Sequence, residues 1–195
     1  MKKPLLIAIG ILVLLLAGLF VIRRGTPTQG PATGLGPTTG LGPTTGQGPA
    51  GSSESQEKNL QKAPNFALAD YSGKTVRLMD FHGKPVVLNS WAAWCPFCRK
   101  ELPDFAAVEK EFAGQVTIIA IDRAESLETA KRYSDDLGVT NDLIFLLDPR
   151  DSFYRSLGGF TMPETIFVDK DGFIRFHKRG PMDREEMREK IRGIL

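Results

Sequence analysis

The stretch from Val86 to Phe112 constrains this chain most, because it sets two cysteines at a junction between a strand and a helix. Val86-Val-Leu-Asn-Ser-Trp91 is a mostly apolar run and reads as a buried strand. Over 99–112, apolar Leu102, Phe105, Val108 and Phe112 recur at three- and four-residue spacing, the period of an amphipathic helix. Cys95 and Cys98 fall where one hands over to the other. There the unpaired N–H groups and the positive end of the helix dipole face Cys95 and favour its thiolate. Cys98, three residues on, lies on the same helix face and is within reach to close a small disulfide. Pro96 suits the first helical position, where no N–H donor is needed and φ is already helical.

That arrangement predicts thiol–disulfide exchange. An accessible Cys95 thiolate attacks a partner's disulfide, a mixed disulfide forms, and Cys98 then attacks Cys95 and releases the partner; run backwards, the same steps oxidise dithiols. Two other readings compete. A purely structural bridge is disfavoured by the strand–helix context. Half of a zinc site is disfavoured because the chain holds two cysteines in all, and its two histidines, His82 and His177, are far apart with no ligand-type spacing. Both histidines are expected at the surface.

The pattern W-A-x-W-C-P-x-C-R-x-E resembles the thioredoxin superfamily, and within it the membrane-anchored TlpA/ResA/CcmG(DsbE) group of thiol–disulfide oxidoreductases. The similarity runs from about Ala63 to the C-terminus. It implies an α/β, thioredoxin-like fold, a mixed central sheet flanked by helices, with an N-terminal β-hairpin extension. It also implies that Met162-Pro163, in Thr161-Met-Pro-Glu-Thr165, is the superfamily's cis-proline, set against the disulfide with the Met162 backbone free to pair with a substrate strand. Substrate contact is expected at Trp94, Pro96, Phe97, Met162 and Pro163, with Trp91 packed beneath the cysteine turn. By the same resemblance Glu101 tunes the cysteine pair, since a carboxylate near thiols disfavours the thiolate and exchanges protons with it; a solvated surface position is the alternative. Pro103 matches a helix kink common in thioredoxins. Asn89 departs from the pattern, because thioredoxin has a buried aspartate six residues before its first cysteine.

Ahead of this domain lie three segments of different character: a basic tip at 1–3, an apolar run at 4–22, and a Gly/Pro/Thr-rich tract at 23–62. The apolar run is about nineteen residues, enough to cross a bilayer core as a helix. No A-x-A site follows it, so an uncleaved anchor is expected in place of a signal peptide. The slight positive-inside bias puts the N-terminus in the cytoplasm and the catalytic domain outside, periplasmic or on the outer face. In the tract, a Gly-Pro-(Ala/Thr)-Thr-Gly-(Leu/Gln) unit repeats every six residues. With few apolar side chains it cannot offset chain entropy, and a disordered tether spanning about 35 Å on average is expected.

About 130 residues remain for one domain. A hairpin is expected around Ser72-Gly73, strands over 116–122 and 143–147, and helices over 126–137 and 151–157. A second hairpin, 165–169 with 173–178, turns at Lys170-Asp171-Gly172, and Asp183 caps a final helix carrying Met187, Ile191 and Ile194.

The expected activity is that of a protein disulfide reductase, with cytochrome c maturation as the setting the resemblance implies. Its substrates are protein disulfides or dithiols, its electron partner is a polytopic membrane thiol reductase, and no cofactor is expected beyond the redox-active Cys95–Cys98 disulfide. A disulfide-forming oxidase or isomerase, re-oxidised by a quinone-linked partner, uses the same chemistry. A peroxiredoxin shares the Ala63-Pro-Asn-Phe66 opening but wants threonine where Ala92 stands. A Sco-like copper chaperone spaces its cysteines one residue wider. The net charge of +2 carries no nucleic-acid signal.

Overall fold

The structure, a computed structural model, describes residues 60–195. The expected tip (1–3), anchor (4–22) and all but the end of the tether (23–62) lie outside the described residues. Among the described residues no helix is long and apolar enough to cross a membrane. The last two tether residues are part of the domain: the Gln61 carbonyl accepts from Ile174 N–H at 2.8 Å, and Lys62 bridges Phe173. Residues 61 and 62 therefore belong with the domain expected to start at 63.

A hairpin opens the domain, β1 (Ala67–Asp70) with β2 (Thr75–Arg77), followed by a 3-10 turn at Leu78–Phe81. Asp70 makes the turn by accepting from the N–H groups of Ser72 and Lys74, and Gly73 takes φ 86°, which only glycine adopts freely. Then come β3 (Val86–Trp91), α1 (Cys98–Glu111), β4 (Thr117–Arg123), α2 (Leu127–Asp136), β5 (Ile144–Asp148), α3 (Ser152–Ser156), β6 (Glu164–Val168), β7 (Ile174–Arg179) and α4 (Arg184–Arg192). Every strand and helix anticipated for the described residues is present, displaced by a residue or two at its ends. Ser126 caps α2 by accepting from Thr129 N–H, and Asp183 caps α4 by accepting from Glu186 N–H.

The seven strands form one mixed sheet in the order β2-β1-β5-β4-β3-β6-β7. β3, β4 and β5 run parallel, and the outer pairings are antiparallel. Because successive side chains alternate sides, each central strand feeds two cores. Val87, Ile118, Ala120, Phe145 and Phe167 pack on one face with α1, Ala130 of α2, and Met187 and Ile191 of α4. Leu88, Ile119, Ile121, Leu146 and Ile166 pack on the other with Phe153 of α3 and Val76 of the hairpin. Covering both faces explains why β3 is buried at all six positions. The C-terminal ends of the parallel strands stay free for a site, as open α/β sheets arrange it.

Candidate active site

Cys95 lies in the turn leaving β3, and Cys98 is the first residue of α1. They are joined as a disulfide with Cα atoms 5.3 Å apart. The N–H of Cys98 donates to Cys95 Sγ at 3.2 Å, so a donor that the helix start leaves over is aimed at the first sulfur. Helical hydrogen bonding begins with the Phe97 carbonyl, which accepts from Lys100 and Glu101. This corrects the place of Pro96. It precedes the helix instead of occupying its first position, because Phe97 is the N-cap.

A second expectation changes too. Cys95 is 1% exposed in this oxidised form, and Cys98 is fully buried. What solvent meets is Trp94, Pro96 and Phe97, with Trp94 at 62% and Phe97 at 53%. Cys95 sits outside the helix, in the turn that carries these exposed side chains. Cys98 belongs to the helix as its first residue. Both sulfurs are buried in this form, and the Cys98 N–H is aimed at the Cys95 sulfur.

Below the turn, Trp91 is buried, stacked on Tyr133 at 5.5 Å and edge-on to Phe145 at 5.7 Å. Pro103 lies inside α1, where it withholds one helical donor. The Met162–Pro163 bond is cis. β6 pairs with β3 so that Glu164 faces Ser90, which places Pro163 beside the exit of β3, at the cysteine end of the sheet. Met162 packs against the core that includes both cysteines. Gly180 N–H donates to the Pro163 carbonyl at 2.9 Å, whereas Met162 makes no backbone hydrogen bond to another described residue.

Glu101 is buried, 2% exposed, not solvated. Its Oε1 accepts from Met182 N–H at 3.1 Å and its Oε2 from Asn89 Nδ2 at 3.2 Å. Burial pushes its carboxyl up to about 8, against the pull of those two donors and of Lys178. At neutral pH it is a protonated acid one helical turn from Cys98.

Several residues around the site went unmarked at the sequence level. Asp122, level with Trp91 in the sheet, is completely buried with one oxygen unpartnered. Burial, and then the neighbouring Glu125, push its carboxyl well above the ordinary range. Glu125 in turn accepts from Ala93 N–H at 2.7 Å, gripping the cysteine turn. The available signal was position: an acid ending the apolar strand run Thr117-Ile-Ile-Ala-Ile-Asp122 points to the sheet end where sites form. Phe160 is 77% exposed just before the cis-proline, beside Arg179. Glu164 is buried and paired with His177 and Arg179 at 2.8 and 3.2 Å. His177 lies at the surface, as expected, with its ring paired to Glu164. Among the described residues no cluster of three metal-ligating side chains occurs.

A disulfide at a strand–helix turn, facing a cis-proline on a mixed sheet, defines a thioredoxin-like thiol–disulfide oxidoreductase. The chain belongs to the AhpC/TSA family, which it matches over residues 60–177. It is 33% identical over 132 residues to the thioredoxin-like protein YneN of Bacillus subtilis, an overlap of 67% of this chain and 77% of that one. It is 31% identical over 146 residues to the thiol-disulfide oxidoreductase ResA of Bacillus cereus, covering 73% and 82% of the two chains. The crystal structure of the exposed lipoprotein thioredoxin Etrx1 of Streptococcus pneumoniae superposes with a TM-score of 0.60 at 27% identity, over 67% of this chain and 99% of that one.

Proposed function

We propose that this oxidoreductase works outside the cytoplasm, held to the membrane by residues 4–22, as a reductant of disulfides in exported proteins, apocytochrome c among them. The observation that carries the direction is the buried Glu101 carboxyl one turn from Cys98. Oxidising members of the superfamily owe their potential to a stabilised thiolate. The dry surroundings that keep the Glu101 proton on also disfavour a charged sulfur, and a Glu101 that has lost its proton repels a thiolate further; both favour the disulfide and make the dithiol the better electron donor.

In the reduced protein, the Cys95 thiolate attacks a substrate sulfur, forms the mixed disulfide and expels the first substrate thiolate. Glu101 is the acid–base group that exchanges a proton with the Cys98 thiol. The Cys98 thiolate then attacks Cys95 Sγ, expels the second substrate thiolate and restores the intramolecular disulfide. Two electrons have passed to the substrate, and a polytopic membrane thiol reductase returns them. Met162 offers its backbone to an extended substrate segment, and Trp94, Pro96, Phe97 and Pro163 offer apolar contact. Support for the location comes from the length of the apolar run and the tether that follows it.

The deciding measurement is the potential of the Cys95–Cys98 couple, set against a glutathione or dithiothreitol buffer. A value near thioredoxin's, about −270 mV, supports the reductant; one near that of DsbA, about −120 mV, reverses the direction.

A further inference from the structure

Arg123 has no part in the sulfur chemistry, yet it meets Trp94 on the cysteine turn and, through Tyr154, reaches the cis-proline segment. It ends β4 with its side chain 19% exposed. Its guanidinium lies 3.5 Å from the centroid of the Tyr154 ring and 5.9 Å from that of Trp94. Nε and Nη2 bond in parallel to the two oxygens of Asp151 at 2.7 and 2.5 Å, which fixes the plane that stacks on Tyr154. The Tyr154 hydroxyl donates to the Thr161 carbonyl at 2.9 Å, one residue before Met162. A continuous line of contacts thus runs from the cysteine turn to the cis-proline segment. Arginine suits this place, since a planar fork can pair with a carboxylate while it stacks on rings, and an ammonium cannot.

The backbone supplies independent support. Two non-glycine residues among those described adopt left-handed φ, Ala124 at 56° and Asp151 at 55°. One follows Arg123 and the other is its ion-pair partner. Both donate their N–H to a single carbonyl, that of Asp148, at 3.0 and 2.9 Å. Such conformations persist where surrounding contacts over-determine them, and they collect at functional sites. Here they hold the two ends of the Arg123–Asp151 pair in register.

We propose that Arg123 is a positioning residue for protein substrates: it braces Trp94 against Tyr154, and through Tyr154 the Thr161–Met162–Pro163 segment, so that both substrate-facing segments are presented at a fixed separation. The inference rests on the proposed action on protein disulfides.

The test uses the full chain in detergent, with insulin disulfide reduction and acrylamide quenching of tryptophan fluorescence. Trp91 is buried, so quenching reports Trp94. Arg123→Met is expected to raise KM for insulin about five- to twentyfold, from the loss of two cation–π contacts, with kcat within about twofold and stronger quenching. Tyr154→Phe keeps the stacked ring but cuts the bond to Thr161, and is expected to raise KM with quenching unchanged. An unchanged KM in both variants, a fall in kcat alone, or unmoved quenching in Arg123→Met overturns the bracing role, even if the melting temperature drops. Should Arg123→Met not fold, an unchanged KM in Tyr154→Phe overturns it by itself. A wild-type chain that leaves insulin intact counts against the proposed function instead, and quenching then decides the brace.

Discussion

Asn89 donates its side-chain amide to the Glu101 carboxyl at 3.2 Å, from the middle of β3 to the first turn of α1. The same nitrogen also donates to Thr165 Oγ at 2.9 Å on β6. Where the thioredoxin pattern has one buried acid on the strand, this chain holds its acid on the helix and uses the strand position to orient it. The Asn89 oxygen is buried without a partner. An amide turned over would present that oxygen to a protonated Glu101.

Stability should therefore depend on pH through Glu101. In the unfolded chain it ionises near 4.5, in the folded chain near 8. Between those values the folded state keeps a proton that the unfolded state has shed, so stability falls as pH rises across the window and levels off above it. Glu101→Gln lacks the titration, and its amide can bond the free Asn89 oxygen. Urea unfolding of the oxidised proteins should show the variant gaining on wild type from pH 5 to pH 8, by a few kcal/mol in all. Parallel curves would remove Glu101 from the account.

The same residue should shape the redox couple. Below pH 8 glutamine and a protonated glutamate differ little, and the two potentials should be close. At higher pH the wild-type carboxylate disfavours the thiolates, and its potential should drop below that of Glu101→Gln. Glutathione equilibration at pH 6, 7.5 and 9 measures the gap, and a gap that fails to widen would contradict the assignment.

The order of attack is testable by trapping. Cys98→Ser should accumulate a mixed disulfide with a protein substrate, because the sulfur that releases it is gone. Cys95→Ser should trap none, since the helix-start N–H that stabilises a thiolate is aimed at Cys95 and not at Cys98. Non-reducing electrophoresis separates these outcomes, and equal trapping by both variants would reverse the roles.

Asp122 and Glu125 should pull stability in opposite directions. Glu125→Ala strips the acceptor from Ala93 N–H, a loss of about 1–2 kcal/mol for a bond to a charged group at a part-buried site. Asp122→Asn removes a buried carboxyl whose ionisation is pushed upward, so it should stabilise the protein increasingly as pH rises above the ordinary aspartate range. Thermal melts at pH 5 and pH 8 check both.

Phe160, more exposed than Trp94 or Phe97, should act on substrate and not on folding. Phe160→Ser is expected to raise KM for a protein disulfide several-fold with the melting temperature within a few degrees. A large loss of stability would mark it as core.

The order of strands and helices could be read in the chain because burial imposes periods of two and 3.6 on the residues themselves. The cysteine pair was equally legible: Val86–Trp91 and Leu102, Phe105 and Val108 frame it from both sides. Less visible were residues whose role depends on a neighbour far along the chain. Glu101 could have been a surface acid, until Met182 and Asn89 closed over it. Arg123 and Asp151 carried no mark in the sequence, and they became a pair only when the fold brought them together beside Tyr154.

Local pattern alone thus determined the elements, the redox pair and its place at a helix start, since propensity and spacing act over a few residues. Only the assembled sheet decided which carboxyls lose their water and which arginine lies between Trp94 and Tyr154. Desolvation and distance are properties of packing, and residues eighty positions apart acquire them only when the chain is folded.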